Sequence, residues 1–249
     1  MIQKYIKKTS VFIISVVFIL AALYVFTLYY NRGVEYPKSV ADFSNTGNYR
    51  INPSNILLNI NDGNTNIFEY TDAIPAVDIN NSTPLFVWTQ SDYLKVITAL
   101  HQFVWKEDVD GWNVAGLMFY RTCRNTPVGF ESGDVVYYKY NTEEKVYTFH
   151  EITISQNRML ASWGGGDGFI SPLFGWKNVE LTKLTITADE ALQIAEDNGG
   201  REFRLKVKNK CDITLILKPN SDYGNHWLAY YDTENVDNSF EFFIDPYQR

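Results

Sequence analysis

The feature that most restricts the fold is a repeated order of elements: twice within 249 residues a capped amphipathic helix is followed by three strand-like runs. In residues 91–105, Tyr93, Val96, Ile97, Leu100, Phe103 and Val104 recur at helical spacing, and Ser91 stands where an N-cap belongs. In the second helix, Thr187-Ala188-Asp189-Glu190 reads as a capping box. Ala188, Ala191, Leu192 and Ala195 share one face there, and Gly199-Gly200 supplies the stop. The first helix precedes a strand ending near Cys123, then residues 135–140 and 147–155. The second precedes a strand or hairpin over 203–217 that contains Cys211, then residues 227–231 and 240–245. The offsets are 96 from Ser91 to Thr187, 88 between the cysteines, 92 from Val135 to Trp227 and 90 from Ile154 to Ile244. A helix with one apolar stripe needs a sheet face to cover it. The expectation is therefore an α+β ectodomain of two αβββ units, residues 85–162 and 183–249, each with its helix packed on antiparallel sheet.

Before these units lies an uncharged, mostly apolar run over residues 11–30, preceded by Lys4, Lys7 and Lys8. Twenty helical residues cover roughly 30 Å, the hydrocarbon thickness of a bilayer. The run exits through Thr27-Leu28-Tyr29-Tyr30-Asn31-Arg32, too bulky for a signal-peptidase site. It reads as a retained transmembrane helix over 10–30, with residues 1–9 as a basic cytoplasmic N-terminus and the rest of the chain extracytoplasmic by the positive-inside rule. A single-pass protein of the cell membrane is the expected localisation. Residues 31–84, rich in Asn, Asp, Ser and Thr, read as a juxtamembrane stalk with a hairpin at Asn61-Asp62-Gly63.

Residues 1–38 hold five of the 22 Lys and Arg and one of the 29 Asp and Glu, so the remainder carries 17 basic against 28 acidic groups. Such a surface repels nucleic acid, which is excluded as a partner. Cys123 and Cys211, the only two cysteines, would both lie in an oxidising compartment, and a single disulfide between them is the economical reading, with two buried thiols as the alternative.

The chemistry that the sequence offers is sparse. His150-Glu151 opens an HExxH pattern, but Ile154 holds the last position, so no zinc-protease site forms and the segment alternates like a strand. His101 lies in the first helix and His226 before Trp227, neither with a Cys, Asp or Ser at a recognised spacing. The Trp163-Gly164-Gly165-Gly166-Asp167-Gly168 stretch lacks the Lys-Ser/Thr of a phosphate loop and reads as a hinge in a Gly- and Trp-rich connector over 163–182. Overlapping sequons occur at Asn80 and Asn81. No catalytic residue, cofactor or metal ligand is assigned. Trp227, Tyr230, Tyr231, Trp163 and Trp176 are the candidate binding surface, since 16 Phe, 17 Tyr and 6 Trp are enough for a stacking surface, with core packing the default for most aromatics in strand-like runs.

The second unit resembles a PepSY domain. The resemblance rests on Thr187-Ala188-Asp189-Glu190-Ala191-Leu192 through Ala195 and Gly199-Gly200, then Trp227-Leu228-Ala229-Tyr230, then Phe243-Ile244-Asp245. It spans residues 187–249; residues 89–158 share only the order of elements. The family's W-x-V-x-Y strand has Ala229 in place of Val, and Tyr247-Gln248 stands where Thr-Gly closes the family motif. The resemblance implies a PepSY/cystatin-like fold in a bacterial, extracytoplasmic, non-catalytic module of the kind found in protease propeptides and membrane-tethered regulators. The expected function is a membrane-anchored module that binds or regulates an exported protein or membrane complex. A glycan-binding or small-ligand module using exposed aromatics is the alternative reading, and an enzyme of unrecognised type the third.

Overall fold

The architecture comes from a computed structural model, which describes residues 15–25, 40, 43–64, 67–73, 86–123, 129–168, 177–219, 224–233 and 238–248. Its centre is one antiparallel sheet of nine strands in the order β2-β1-β6-β5-β4-β3-β7-β8-β9. The strands are β1 (Asn45–Arg50), β2 (Glu69–Tyr70), β3 (Asn113–Thr122), β4 (Ser132–Asn141), β5 (Val146–Ser155), β6 (Leu160–Gly168), β7 (Asp212–Leu217), β8 (Trp227–Asp232) and β9 (Phe240–Ile244). The helices are α1 (Ile56–Asn61), α2 (Gln90–Trp105), α3 (Ala188–Ala195) and α4 (Arg201–Lys206).

This corrects the expected fold class. Two αβββ units with separate sheets behind a transmembrane helix are replaced by a single sheet, in which β3 pairs with β7 from Leu117↔Leu217 to Thr122↔Asp212. Two separate three-stranded sheets would each leave an open edge of unpaired backbone groups; joining them at β3 and β7 satisfies both. Among the described residues no helix is long and apolar enough to cross a membrane.

Other boundaries move as well. The expected stalk contributes β1, α1 and β2, and its Ile51, Ile56 and Phe68 join the main core. The Asn61-Asp62-Gly63 turn ends α1 and joins no hairpin strands, with Gly63 at φ 73°. Residues 169–176 of the expected connector lie outside the described residues, while its residues 163–168 belong to a strand, β6, which pairs along its length with β5. Phe43 lies against it so closely that a Cβ on Gly164 would sit 2.8 Å from the Phe43 ring. Glycine is required there by contact with a neighbouring ring, and no hinge forms. The segment expected as strand from Phe203 starts instead as α4. Gly199, at φ 115°, breaks the helical path after α3, and the chain then turns again from Arg201. A buried ion pair fastens the two pieces, with Arg204 bonded to Glu196 and Tyr231 Oη donating to Glu196 at 2.8 Å.

Both long helix pieces are capped by Thr. In α2 the cap is Thr89 rather than Ser91: Thr89 accepts from the Asp92 amide and Asp92 accepts from the Thr89 amide. Thr187 and Glu190 do the same for α3. The two N-termini interlock, because the Gln90 amide donates to Asp189 Oδ2 at 2.9 Å and the Ala188 amide donates to Gln90 Oε1 at 2.6 Å. Both helices share one face of the sheet. Val135, Tyr137, Ile152, Ile154, Leu215, Trp227 and Tyr231 face them in the main core, while the alternate residues Val136, Tyr138 and Phe149 form a small second cluster with Phe43 and Ala115.

Cys123 and Cys211 form a disulfide, with Cα atoms 5.1 Å apart, at the end of the β3–β7 seam, where the Cys123 amide also donates to the Cys211 carbonyl at 2.8 Å. It closes a loop across a sequence separation of 88. Replacing both cysteines by Ser should lower unfolding free energy by ~4 kcal/mol, read from denaturant midpoints. An unchanged midpoint would show that the bridge contributes nothing to the fold.

Candidate functional site

The most unusual chemistry among the described residues lies where the last turn of α2 crosses β5. His101 continues the apolar stripe of α2, four residues after Ile97, and is 0% exposed. His150 is on the helix-facing side of β5, in phase with Ile152 and Ile154, and is 5% exposed. His150 Nδ1 lies 3.0 Å from His101 Nε2, and His101 Nδ1 lies 3.1 Å from the Glu107 carbonyl oxygen.

These distances determine the tautomers of the neutral rings. A carbonyl can only accept, so His101 Nδ1 carries a proton and donates it; His101 Nε2 is then a bare acceptor, and His150 Nδ1 must donate to it. The remaining lone pair falls on His150 Nε2. Among the described residues no hydrogen bond to that atom is formed.

Aromatic rings hold the pair. Trp105 stacks on His150 at 3.7 Å between centroids with planes 10° apart, and Trp112 stacks on it at 4.2 Å and 27°. Tyr137 meets His101 edge-on at 5.3 Å. Trp112 is placed by the loop after α2, which leaves the helix through left-handed Lys106 and turns at Gly111, φ 83°. Glu107 ties that loop together: its carbonyl accepts from His101, its carboxylate accepts from Trp112 Nε1 at 3.3 Å, and Lys139 Nζ pairs with it at 3.7 Å. Lys139 also lies over the Trp112 ring at 5.6 Å.

Burial lowers the pKa of both imidazoles. For His101 desolvation dominates, opposed by the hydrogen bond to the Glu107 carbonyl. For His150 desolvation comes first, followed by His101 and Lys139, and its pKa falls to about 3. Rings this weakly basic are poor general bases at neutral pH. No Ser, Cys, Asp or Glu side chain among the described residues is hydrogen-bonded to either ring. Nor does any group of three or more His, Cys, Asp and Glu among them form a metal cluster.

The residues picked out from sequence are dispersed. Trp227 and Tyr231 are 0% exposed, and their polar atoms are used internally, Trp227 Nε1 donating to the Ile186 carbonyl and Tyr231 Oη to Glu196. Tyr230, on the opposite sheet face, is half-buried. Half-buried Trp163 touches Trp105 edge-on at 5.3 Å, and its buried Nε1 has no hydrogen-bond partner. Trp176 lies outside the described residues, as do Asn80 and Asn81. His226 is exposed, and no hydrogen bond or ring contact joins it to the histidine pair. The pair itself escaped the sequence reading. Its signal was a histidine on each of two apolar stripes that face one another, His101 on the helix and His150 on the strand.

No family model matches the chain, and no curated protein and no solved structure is significantly similar to it.

The histidine pair makes stability depend on pH. Between about 3 and the ordinary histidine value of 6.5, the unfolded chain binds a proton at His150 that the folded chain does not, so stability rises with pH across that window. The slope for His150 alone should reach about 1.4 kcal/mol per pH unit. Buried Asp134, whose carboxyl is raised mainly by desolvation, works in the opposite sense at the acidic end. Denaturant unfolding of the native chain and of His150→Gln should therefore give a difference that shrinks as pH falls from 6.5 to 4. A pH-independent difference would contradict the buried neutral pair.

Proposed function

We propose that the chain is an extracytoplasmic binding or regulatory module, PepSY-like in its second half, that associates with a membrane through its apolar N-terminal helix and acts on an exported protein or membrane complex. The observation that carries this reading is the disulfide across the β3–β7 seam, because such bonds persist in oxidising compartments and are rare where thiols are kept reduced. Support comes from the helix at residues 15–25. Val16, Val17, Phe18, Ile19, Leu20, Leu23, Tyr24 and Val25 are all exposed, so the helix is apolar on every side and no described part of the fold covers it. Such a helix is poorly soluble in water and partitions into lipid.

The chemistry of the described residues favours binding over catalysis: the histidine pair is weakly basic and lacks a bonded nucleophile or carboxylate. Among the described candidate surface residues Trp163 and Tyr230 stay half-buried while Trp227 and Tyr231 are consumed by the core; Trp163 packs on Trp105, which leaves Tyr230 as the one to probe. It stands on the sheet face away from α2 and α3, beside Glu241 of β9 in the strand register.

In host cells, Cys123 and Cys211 should resist a thiol-reactive label until a reductant is added, and the chain should sediment with membranes and be released when residues 15–25 are deleted. Labelling without reductant, in cells quenched before lysis, would place the domain in a reducing compartment and overturn the proposal. A photo-crosslinker at Tyr230 should capture one defined partner; its repeated failure on the folded, membrane-associated chain would count against a partner on that face.

A further inference from the structure

On the sheet face away from α2 and α3, two acidic side chains are buried side by side. Asp134 of β4 is 3% exposed and Glu151 of β5 is 4% exposed, in phase with Val136 and Tyr138 on one strand and Phe149 on the other. Asp134 lies opposite Thr153 and Val136 lies opposite Glu151, so the two carboxyl groups are diagonal neighbours. Thr153 Oγ1 donates to Asp134 Oδ2 at 2.8 Å. Asp134 Oδ1 is buried as well, and no amide, hydroxyl or ammonium among the described residues donates to it. The other hydrogen-bond partner of Asp134 is the carboxyl of Glu151. Two carboxylates can only accept, so a bond between them requires a proton, and like charges at that separation do not both ionise.

Charge balance points the same way. The cation that acts on the pair is Lys218, just after β7, whose stem crosses Gly116, the residue opposite Val136 on β3: a Cβ on Gly116 would sit 2.7 Å from Lys218 Cγ. One ammonium offsets one carboxylate. A second carboxylate would be buried without a counter-charge, a cost that a shared proton removes. Burial accordingly raises the Asp134 carboxyl, against the opposing effects of Lys218 and of the hydrogen bonds with Thr153 and Glu151. Tyr120, Tyr138 and Tyr147 are the other titratable groups of this face around the pair, with the Tyr138 phenol pushed up to about 12 by burial, and Arg50 of β1 is exposed beyond them. The pair also lies beside the cover of this face. Gly164 of β6 is opposite Glu151 on one side and Thr46 of β1 on the other, and Phe43, just ahead of β1, rests on Gly164 and packs with Val136, Tyr138 and Phe149. We propose that Asp134 and Glu151 share one proton at neutral pH and that this proton holds Phe43 and β1 down on the sheet, a latch that is tight in acid and loosens as pH rises.

The sign follows from linkage. The closed face binds a proton that the opened, solvated carboxyl groups release above their ordinary range near 3.8, so opening becomes easier with rising pH until the closed pair itself ionises. Infrared absorption of the full chain at pH 7 should show a carboxylic-acid carbonyl band that is lost in Asp134→Asn and in Glu151→Gln. Each variant puts an amide donor where the proton stood, so both should fold at that pH. Hydrogen exchange of the β1 amides, residues 45–50, corrected for intrinsic exchange, should give an opening constant that rises about tenfold per pH unit from pH 5 to 7 relative to Asp134→Asn. Absence of the band from the folded native chain, a band unchanged in both variants, or failure of both variants to fold at pH 7 would overturn the shared proton. The same pH dependence of β1 opening in the native chain and in Asp134→Asn would overturn the latch.

Discussion

The pairing of β3 with β7 is the constraint on which the rest depends. Each is the first strand of its own meander, β3 leading into β4, β5 and β6 and β7 leading into β8 and β9. Antiparallel pairing of the two turns two partial sheets into one. It also brings the preceding helices, α2 and α3, onto the same face with their N-termini together, where Gln90 satisfies both an amide and a carboxylate of the other half. The disulfide clamps the end of this seam, and the core is continuous across it: Leu117 and Phe119 of β3 and Leu215 and Leu217 of β7 are all fully buried.

The histidine–tryptophan cluster follows from the same geometry. With α2 laid over β4 and β5, the helix stripe that begins at Tyr93 ends at His101, above the β5 position held by His150. Two apolar stripes thereby bury two polar rings, which would be costly unless each found a partner. They bond to each other and to the Glu107 carbonyl, and the loop that provides this carbonyl also carries Trp112 onto His150. Packing, tautomer and loop conformation are thus coupled.

Much of this was legible in the sequence, for local reasons. The helices at α2 and α3 showed in the spacing of apolar residues, and the Thr187–Glu190 capping box reads directly from residue types three positions apart. The cysteine pair required only counting. What failed was non-local. Nothing in residues 163–168 announces a strand, because the glycines are there to admit Phe43, more than a hundred residues away. Residues 45–50 contain only Tyr49 as a large apolar side chain, yet the whole of β1 pairs with residues 160–165 of β6. The α4 helix is held by Arg204 reaching Glu196 across a break that sequence alone reads as an end. The alternation along β8 does not say which of its faces the helices cover, so the sequence offers Trp227 and Tyr231 as surface aromatics where the fold buries them.

Native-state hydrogen exchange tests the central claim most directly. If the seam unites the two halves, the β3 amides of residues 117–122 and the β7 amides of residues 213–217 that bond across it exchange only through global unfolding, with the same free energy as the amides at the centre of β4 and β5. Seam amides that exchange through a smaller opening, while β4, β5 and β8 stay protected, would show two independently stable halves and contradict the single-sheet account.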